Sequence, residues 1–198
     1  EKIVLKRLLY HCDKNNIIPT NQAGFRKGRN TMDHLVKLSN NIKKQFARRK
    51  SCLATFCDIR KAYDRVWHAR LLFKLRNIGI NGIFYQYIKS FLSEREICTR
   101  VGRVYSDFKR IDMGIPQGSI ISPTLFTILI HDLPDTLSKG TKVVQYADDV
   151  AIWVNTSLRK HTSQRMVLYV QKLYQLELDK LSLYMEENGL ELSGEKTC

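Results

Sequence analysis

The sequence has few cysteines, few prolines and no long apolar run, and each shortage argues against a class of protein. No apolar stretch approaches the roughly 18 residues of a membrane-spanning helix, and the basic start lacks the apolar segment of a signal peptide. The five cysteines are odd in number and scattered without a Cys-x-x-Cys pair: Cys12, Cys52, Cys57, Cys98 and Cys198. Neither a disulfide framework nor a zinc knuckle is indicated. We therefore expect a soluble, intracellular protein whose cysteines are mostly buried small apolar residues.

Acidic residues are also scarce, and the resulting positive charge is unevenly distributed. The 198 residues carry a formal net charge of +14, and 43% of them are hydrophobic, enough for one globular domain with a real core. Residues 1–110 hold 25 Lys and Arg against 8 Asp and Glu, whereas residues 111–198 hold 8 against 11. A local excess of 17 positive charges attracts phosphates. Nucleic acid is therefore the leading partner.

Local patterns along the chain predict an α+β protein. We expect helices over residues 2–12, from Asn30 or Thr31 onward, over two segments within 68–92, over 124–131, and up to Asn188. Strands are expected over residues 52–58, 142–147, 150–154 and 190–192, with a further hairpin around residues 101–104.

Several details of these helices are specific predictions. Ser122 is expected to cap the helix over 124–131, with Pro123 at the first helical position and Pro134 at its end. The helix that begins near Asn30 is expected to have an apolar side made of Met32, Leu35, Leu38, Ile42 and Phe46.

Three carboxylates stand out because they fall at the ends of predicted strands. Asp58 ends one strand, and Asp148 with Asp149 forms the tip of a predicted hairpin. Carboxylates from neighbouring strands can converge on a pair of Mg²⁺ ions about 4 Å apart, as phosphoryl transfer requires. A single acid in a turn or at a strand end is often structural. Their occurrence together in a basic chain favours a metal site.

Four ordered motifs resemble the reverse transcriptases of non-LTR (LINE-type) retrotransposons. Residues 56–64 resemble motif A of the palm, residues 114–119 with Ser122 and Pro123 resemble motif B, and residues 146–149 resemble motif C. The segment from Gln22 to Thr31 is similar to the one that precedes motif A, and Gly189–Thr197 is similar to motif D. The resemblance covers almost the whole chain.

The resemblance implies roles for the metal-binding and sugar-binding positions. Asp58 and Asp148 would bind both metal ions, with Asp149 as a weaker ligand that keeps the pocket negative. Tyr63 would lie under the sugar and exclude a ribose 2′-hydroxyl, which predicts deoxynucleotide use. A core aromatic is the alternative for Tyr63.

Other positions would contact the nucleotide or the template. Gln117 can hydrogen-bond a sugar or a base edge, and Gly118 lets the backbone approach the nucleotide closely. Lys196 would protonate the leaving pyrophosphate, the alternative being a solvated lysine. Arg26 and Arg29, in a basic glycine-containing loop, are candidates for phosphate or template contacts.

The implied architecture is a polymerase right-hand palm with partial fingers, in which a small antiparallel sheet packs on helices. Residues 1–198 would form one reverse transcriptase domain fragment, with fingers-side helices and the basic loop over 1–50, the palm over 51–198, and thumb and nuclease absent. The implied cofactor is two Mg²⁺ ions, for which Mn²⁺ can substitute. The implied partners are an RNA template, a DNA primer or target DNA, dNTPs and the rest of a larger polyprotein, without a membrane. A nuclear or a cytoplasmic ribonucleoprotein location is compatible with these partners.

The residues leave three rivals to an RNA-directed DNA polymerase. An RNA-dependent RNA polymerase shares the palm carboxylates but would be expected to have a polar residue where Tyr63 stands. A group II intron maturase shares the Tyr-Ala-Asp-Asp tip. A catalytically inactive nucleic-acid-binding remnant would keep the basic surface without chemistry.

Overall fold

A computed structural model describes residues 1–157 and 163–197, and the α+β prediction is confirmed. The helices are α1 (Lys2–Lys14), α2 (Thr31–Ala47), α3 (His68–Asn77), α4 (Gly82–Leu92), α5 (Ser122–Leu129), α6 (Leu133–Thr136) and α7 (Gln164–Glu187). The strands are β1 (Ser51–Asp58), β2 (Arg95–Ile97), β3 (Arg100–Val101), β4 (Val104–Tyr105), β5 (Lys109–Ile111), β6 (Thr141–Tyr146) and β7 (Asp149–Thr156). None of the described helices is long and apolar enough to cross a membrane.

A three-stranded antiparallel sheet in the order β1-β7-β6 organises the molecule. The strands β6 and β7 form the expected hairpin, and β7 pairs with β1 along its whole length, from Ser51 opposite Thr156 to Asp58 opposite Asp149. One face of this sheet joins the main core, where Val150 and Ile152 are buried. Because alternate residues of a strand face opposite sides, Ala151 and Trp153 lie on the other face.

Helices on one side of the sheet supply most of the core. The helix α5 is buried almost all round, as its apolar sequence predicts, and α1 reaches the same core through Leu8 and Cys12. The helix α7 contributes Leu181 and Met185. The division into fingers-side residues 1–50 and palm residues 51–198 stays a prediction.

The expected apolar side of α2 is only partly correct: Leu38 and Ile42 are half-buried, and Leu38 packs against the cluster around Trp153. Met32, Leu35 and Phe46 are instead exposed by 58%, 55% and 66%, and the fully buried side chains of the helix are His34, Asn41 and Gln45. Specific hydrogen bonds account for these buried polar residues: the Nε2 atom of His34 lies 2.9 Å from the Gln145 carbonyl oxygen, and the Asn41 amide donates to Asn155 Oδ1 at 2.8 Å. The helix begins where expected, with Asn30 as its N-cap, since Asn30 and Asp33 form a reciprocal capping box.

Several smaller predictions also differ from the structure. Ile121, not Ser122, is the N-cap of α5, and the buried Ser122 hydroxyl has no hydrogen-bond partner among the described residues. Pro123 is accordingly the second residue of the helix, not the first. The helix α5 ends at Leu129, and Pro134 lies in the separate helix α6 instead of ending α5.

The predicted strand over residues 190–192 is reduced to a single bridge between Leu192 and Ile59. The cysteine prediction holds for Cys12 and Cys57, which are buried, but not for Cys52 and Cys98, which are half-buried. Cys198 lies outside the described residues.

Candidate active site

The paired strands β1 and β7 bring the predicted carboxylates to one end of the sheet. Asp58 and Asp149 are direct partners in the β1–β7 register. Asp148 lies in the two-residue turn between Tyr146 and Asp149, which close the β6–β7 pairing. Ala147, the other turn residue, has a φ of 58°, a left-handed conformation that tight hairpin turns require. The hairpin geometry thus sets Asp148 and Asp149 beside Asp58.

The loop from Asn21 to Gly24 holds this turn from the side. Ala23 donates its N–H to the Gln145 carbonyl oxygen at 2.9 Å, so the loop runs along the edge of β6. The Gln22 side-chain oxygen accepts from the backbone N–H groups of Gly24 at 2.7 Å and of Ala147 at 3.3 Å. A Cβ atom on Gly24 would lie 2.2 Å from the Ala147 nitrogen. Gln22 and Gly24 are therefore positioning residues for the turn.

The sequence does not predict this role of Gln22 and Gly24. The segment resembles the one that precedes motif A, but no local pattern links residue 24 to residue 147, because the contacts join positions more than 120 residues apart.

The carboxylates repel one another. Burial first, then the charges of Asp148 and Asp58, raise the pKa of Asp149, while Lys196 acts in the opposite direction. The Lys196 Nζ atom lies 3.3 Å from Asp58 Oδ2, in an ion pair whose lysine side chain is 70% exposed and whose aspartate is 26% exposed. The backbone explains this approach, since Ser193 donates its N–H to the Asp58 carbonyl oxygen at 2.8 Å.

The donor chemistry of the three aspartates fits a divalent cation. Carboxylate oxygens are the ligands that Mg²⁺ and Mn²⁺ prefer, and a cation would relieve the repulsion that raises the pKa of Asp149. Over residues 1–157 and 163–197, no group of three or more His, Cys, Asp and Glu side chains is arranged as a ready metal cage.

Most of the predicted site residues line one open cavity of about 510 Å³. Its walls include six of the nine predicted positions: Asp58, Tyr63, Gln117, Gly118, Asp148 and Lys196. Asp149 lines a neighbouring, more apolar cavity of about 450 Å³, which shares Asp58 and Lys196 with the first. The sheet end thus separates two adjoining cavities.

The Tyr63 ring forms a rigid part of the first cavity. It stacks on the Phe126 ring with centroids 5.4 Å apart and planes 12° apart. Burial, followed by the charge of Asp148, raises the pKa of Tyr63 to about 12, so its hydroxyl stays neutral at physiological pH. Stacking between two rings fixes the orientation of the tyrosine.

The loop over residues 114–119 is anchored to the segment that follows Asp58. Ile115 donates its N–H to the Tyr63 carbonyl oxygen at 2.8 Å. The Gln117 side chain donates to Asp64 Oδ1 at 2.8 Å, and Gly118 has a φ of 89°, which favours glycine. Both residues line the cavity that Asp58 and Asp148 also line.

Neither Arg26 nor Arg29 lines the two cavities. The Arg26 guanidinium donates to the backbone carbonyl oxygens of Ile18 at 3.5 Å and Pro19 at 3.1 Å, and so braces its own loop. Arg29 is exposed. Their predicted contacts with phosphate or template stay predictions.

Sequence comparisons agree with this geometry. The family model described as "Reverse transcriptase (RNA-dependent DNA polymerase)" matches residues 1–198. The RNA-directed DNA polymerase from mobile element jockey of Drosophila melanogaster is 30% identical over 99% of this chain and 21% of its own length. The corresponding jockey protein of Drosophila funebris is 33% identical over 77% of this chain and 17% of its own length. The chain therefore spans about a fifth of the length of these relatives.

Structural comparisons show the same fold. The apo telomerase from Candida tropicalis superposes with a TM-score of 0.68 at 13% identity, over 100% of this chain and 36% of its own. Telomerase from Candida albicans, solved in complex with the TWJ fragment of telomeric RNA, gives a TM-score of 0.63 at 14% identity, over 99% of this chain and 34% of its own. At these identities the likeness concerns the fold alone.

Proposed function

Because the chain belongs to the reverse transcriptase family, we propose that it carries the polymerising centre of an RNA-directed DNA polymerase encoded by a non-LTR retrotransposon. The observation that carries the proposal is the pairing of Asp58 with Asp149 at the sheet end, with Asp148 in the adjoining turn. The right-hand polymerase fold that the sequence predicted is confirmed by the telomerase structures.

Reverse transcriptases generally use divalent metal ions. We infer that this chain uses two Mg²⁺ ions, for which Mn²⁺ can substitute. Asp58 and Asp148 would hold both ions, and Asp149 would be a weaker ligand. Bound there, the metal would lower the pKa of the attacking primer hydroxyl and neutralise the leaving pyrophosphate.

The aromatic wall of the cavity selects the sugar. The Tyr63 ring, held by Phe126, presents a flat surface that cannot move aside without breaking the stack. A deoxyribose fits over such a surface, whereas a ribose adds a 2′-hydroxyl that would be pressed against it. Gln117 orients the sugar or the base edge, and Gly118 leaves room for the nucleotide to approach the backbone.

Lys196 would act on the leaving group. Its ammonium lies beside Asp58 and also borders the cavity that Gln117 and Tyr63 line. In the proposed role the lysine gives up its ion pair with Asp58 and donates its proton to the departing pyrophosphate. Because the lysine side chain is mostly exposed, this movement costs little burial energy.

The substrates and partners follow from the charge and the family. We propose an RNA template, a DNA primer or nicked target DNA, and dNTPs, with Arg26 and Arg29 touching template phosphates and the remainder of the polyprotein completing the enzyme. The basic first half supports this, since 25 of the 33 Lys and Arg residues lie within residues 1–110. Its place of action would be a nuclear or cytoplasmic ribonucleoprotein.

The test is extension of a DNA primer on an RNA template by the full-length polyprotein, which we call the parent, carrying Asp148→Asn. We expect incorporation of dNTPs to fall about a thousandfold or more, because the variant keeps the size of the side chain and removes its charge. Binding of the template and primer should be retained. The exposed Asp107→Asn is the matched control and should be fully active.

Undiminished extension by the Asp148→Asn variant would refute the assignment. A parent that binds RNA yet extends no primer, with or without the substitution, would show that this copy is an inactive nucleic-acid-binding remnant.

A further inference from the structure

The helix α7 has two apolar faces, and only one of them packs into the protein. Its inner face contributes Leu181, Tyr184 and Met185 to the core. On the outer face, five large apolar side chains are exposed by 44% to 58%: Met166, Tyr169, Leu173, Leu176 and Leu183. A row of this kind on one helix is typical of an interaction surface.

The outer residues follow a coiled-coil spacing. Together with Lys180 they recur at alternating steps of three and four residues, as the two apolar positions of three successive heptads do. We name this set the α7 seam: Met166, Tyr169, Leu173, Leu176, Lys180 and Leu183. All six line a groove of about 750 Å³ between α7 and the ends of β6 and β7. The α7 seam is therefore shaped to receive another helix.

The lysine in the α7 seam restricts how a second α7 could pair with the first. Lys180 Nζ donates hydrogen bonds to Glu177 Oε1 and to Ser138 Oγ, both at 2.7 Å. A parallel pairing would place two copies of Lys180 in the same layer. An antiparallel pairing instead places Lys180 opposite Tyr169 of the second copy, where an ammonium and its stem pack well on an aromatic ring. The remaining layers are then Met166 with Leu183 and Leu173 with Leu176.

Charged residues along one edge of the α7 seam also favour the antiparallel pairing. The exposed residues that flank it on this edge are Arg165 and Lys172 in the first half and Asp179 and Glu186 in the second. In the antiparallel register, Arg165 lies beside Glu186 of the second copy, and Lys172 lies beside Asp179 of the second copy. A slip of one heptad would bring Lys172 beside its own equivalent. Charge complementarity therefore favours one orientation and one register.

We propose that the α7 seam is a homotypic docking surface, on which a second copy of the chain packs its own α7 in the antiparallel direction. The interaction is separate from the polymerising centre, since none of the six residues lines the two cavities beside Asp58. Apolar layers stabilise the contact, and the flanking charges set its direction.

Sedimentation equilibrium of the 198-residue chain tests the proposal. The wild type should form a concentration-dependent dimer that weakens with added salt. Lys172→Glu and Asp179→Lys should each weaken the dimer about tenfold, because each converts two attractive pairs into repulsive ones. The double variant restores both pairs with opposite polarity, and its dimer should regain most of the wild-type strength. Lys89→Glu, the same charge change on the exposed side of α4, is the control and should dimerise normally.

A mixture provides an internal check on the direction. Chains with Lys172→Glu and chains with Asp179→Lys should prefer each other, since their charges are complementary only across the mixed pair. A chain that stays monomeric across the micromolar range would overturn the proposal. So would a dimer whose strength is unchanged by either single reversal, or a double variant no stronger than the singles.

Discussion

Replacing Gly24 by alanine should displace the turn at Ala147 and Asp148, and so disable the proposed polymerising centre, without changing a carboxylate. The added Cβ would lie 2.2 Å from the Ala147 nitrogen and 2.9 Å from its Cα, whereas real Cβ atoms essentially never approach closer than 3.0 Å. The loop or the turn must therefore move by about 0.8 Å. Both contacts are with backbone, so no flexible side chain can rotate away to absorb the change.

A displacement of this size has a large effect on chemistry. A misplacement of about 1 Å at a reacting group can cost about a hundredfold in rate, and we expect kcat of the full-length Gly24→Ala parent to fall by about that factor. Overpacking should also lower the free energy of unfolding by about 1 to 3 kcal/mol. Because a folded protein has only about 5 to 15 kcal/mol to lose, the variant should still fold.

Primer extension and thermal unfolding, measured on the same preparations, separate the two effects. Gly140→Ala is the matched control, since a Cβ there meets no atom within 4 Å and no positive φ is involved. It should match the wild type in both measurements. If Gly24→Ala retained wild-type kcat and stability, the account of the loop as the support of the turn would be refuted.

Two further predictions concern the sugar and the pH dependence of stability. Tyr63→Val in the parent should raise incorporation of rNTPs relative to dNTPs, by about a hundredfold in the ratio of kcat/KM, because the surface beneath the 2′ position is removed; an unchanged ratio would show that Tyr63 is only a core aromatic. Glu177 accepts hydrogen bonds from Ser138, Thr141 and Lys180, which overcome the opposing effect of its burial and lower its pKa from 4.5 to about 2. Its charged form therefore stabilises the fold at pH values above about 4.5, by up to about 3 kcal/mol, and this contribution is lost as the pH falls towards 2. Glu177→Gln should unfold more easily at pH 7 and show a smaller loss of stability between pH 5 and pH 2 in urea titrations; a pH profile identical to that of the wild type would contradict the assignment.

The carboxylate site could be predicted from the sequence because its geometry is local. An apolar run that ends at Asp58 defines β1 and one that begins at Asp149 defines β7, and a two-residue turn fixes where Asp148 and Asp149 lie. Only the pairing of β1 with β7 had to be supplied by the fold. Once that pair forms, Asp58 and Asp149 meet as register partners.

Features that depend on distant polar contacts could not be predicted in this way. On α2, the periodicity of Leu35 and Phe46 predicts that both are buried, but His34 and Asn41 form hydrogen bonds with partners more than 100 residues away, and Leu35 and Phe46 are left exposed. The support of Ala147 by Gln22 is a contact of the same kind. Hydrophobic periodicity indicates which side chains tend to be buried, but it contains no information about hydrogen bonds between residues far apart in the sequence.

The helix α7 shows a different limit. The sequence predicts a helix that ends near Asn188, and the structure confirms this helix, with Leu181 and Met185 buried on its inner face. One periodic apolar pattern is sufficient to predict a helix, so the prediction contains no information about a second apolar face. Only the exposure of Leu173 and Leu176 reveals that two apolar rows share one helix.

The account depends most on the claim that Asp58 takes part directly in nucleotidyl transfer. Single-nucleotide incorporation by the full-length parent, measured in the pre-steady state on an RNA template with a DNA primer and Mg²⁺, tests it directly. For Asp58→Asn we predict a rate at least about a thousandfold lower, with binding of the template and primer unchanged. A rate within about tenfold of the wild type would contradict the account.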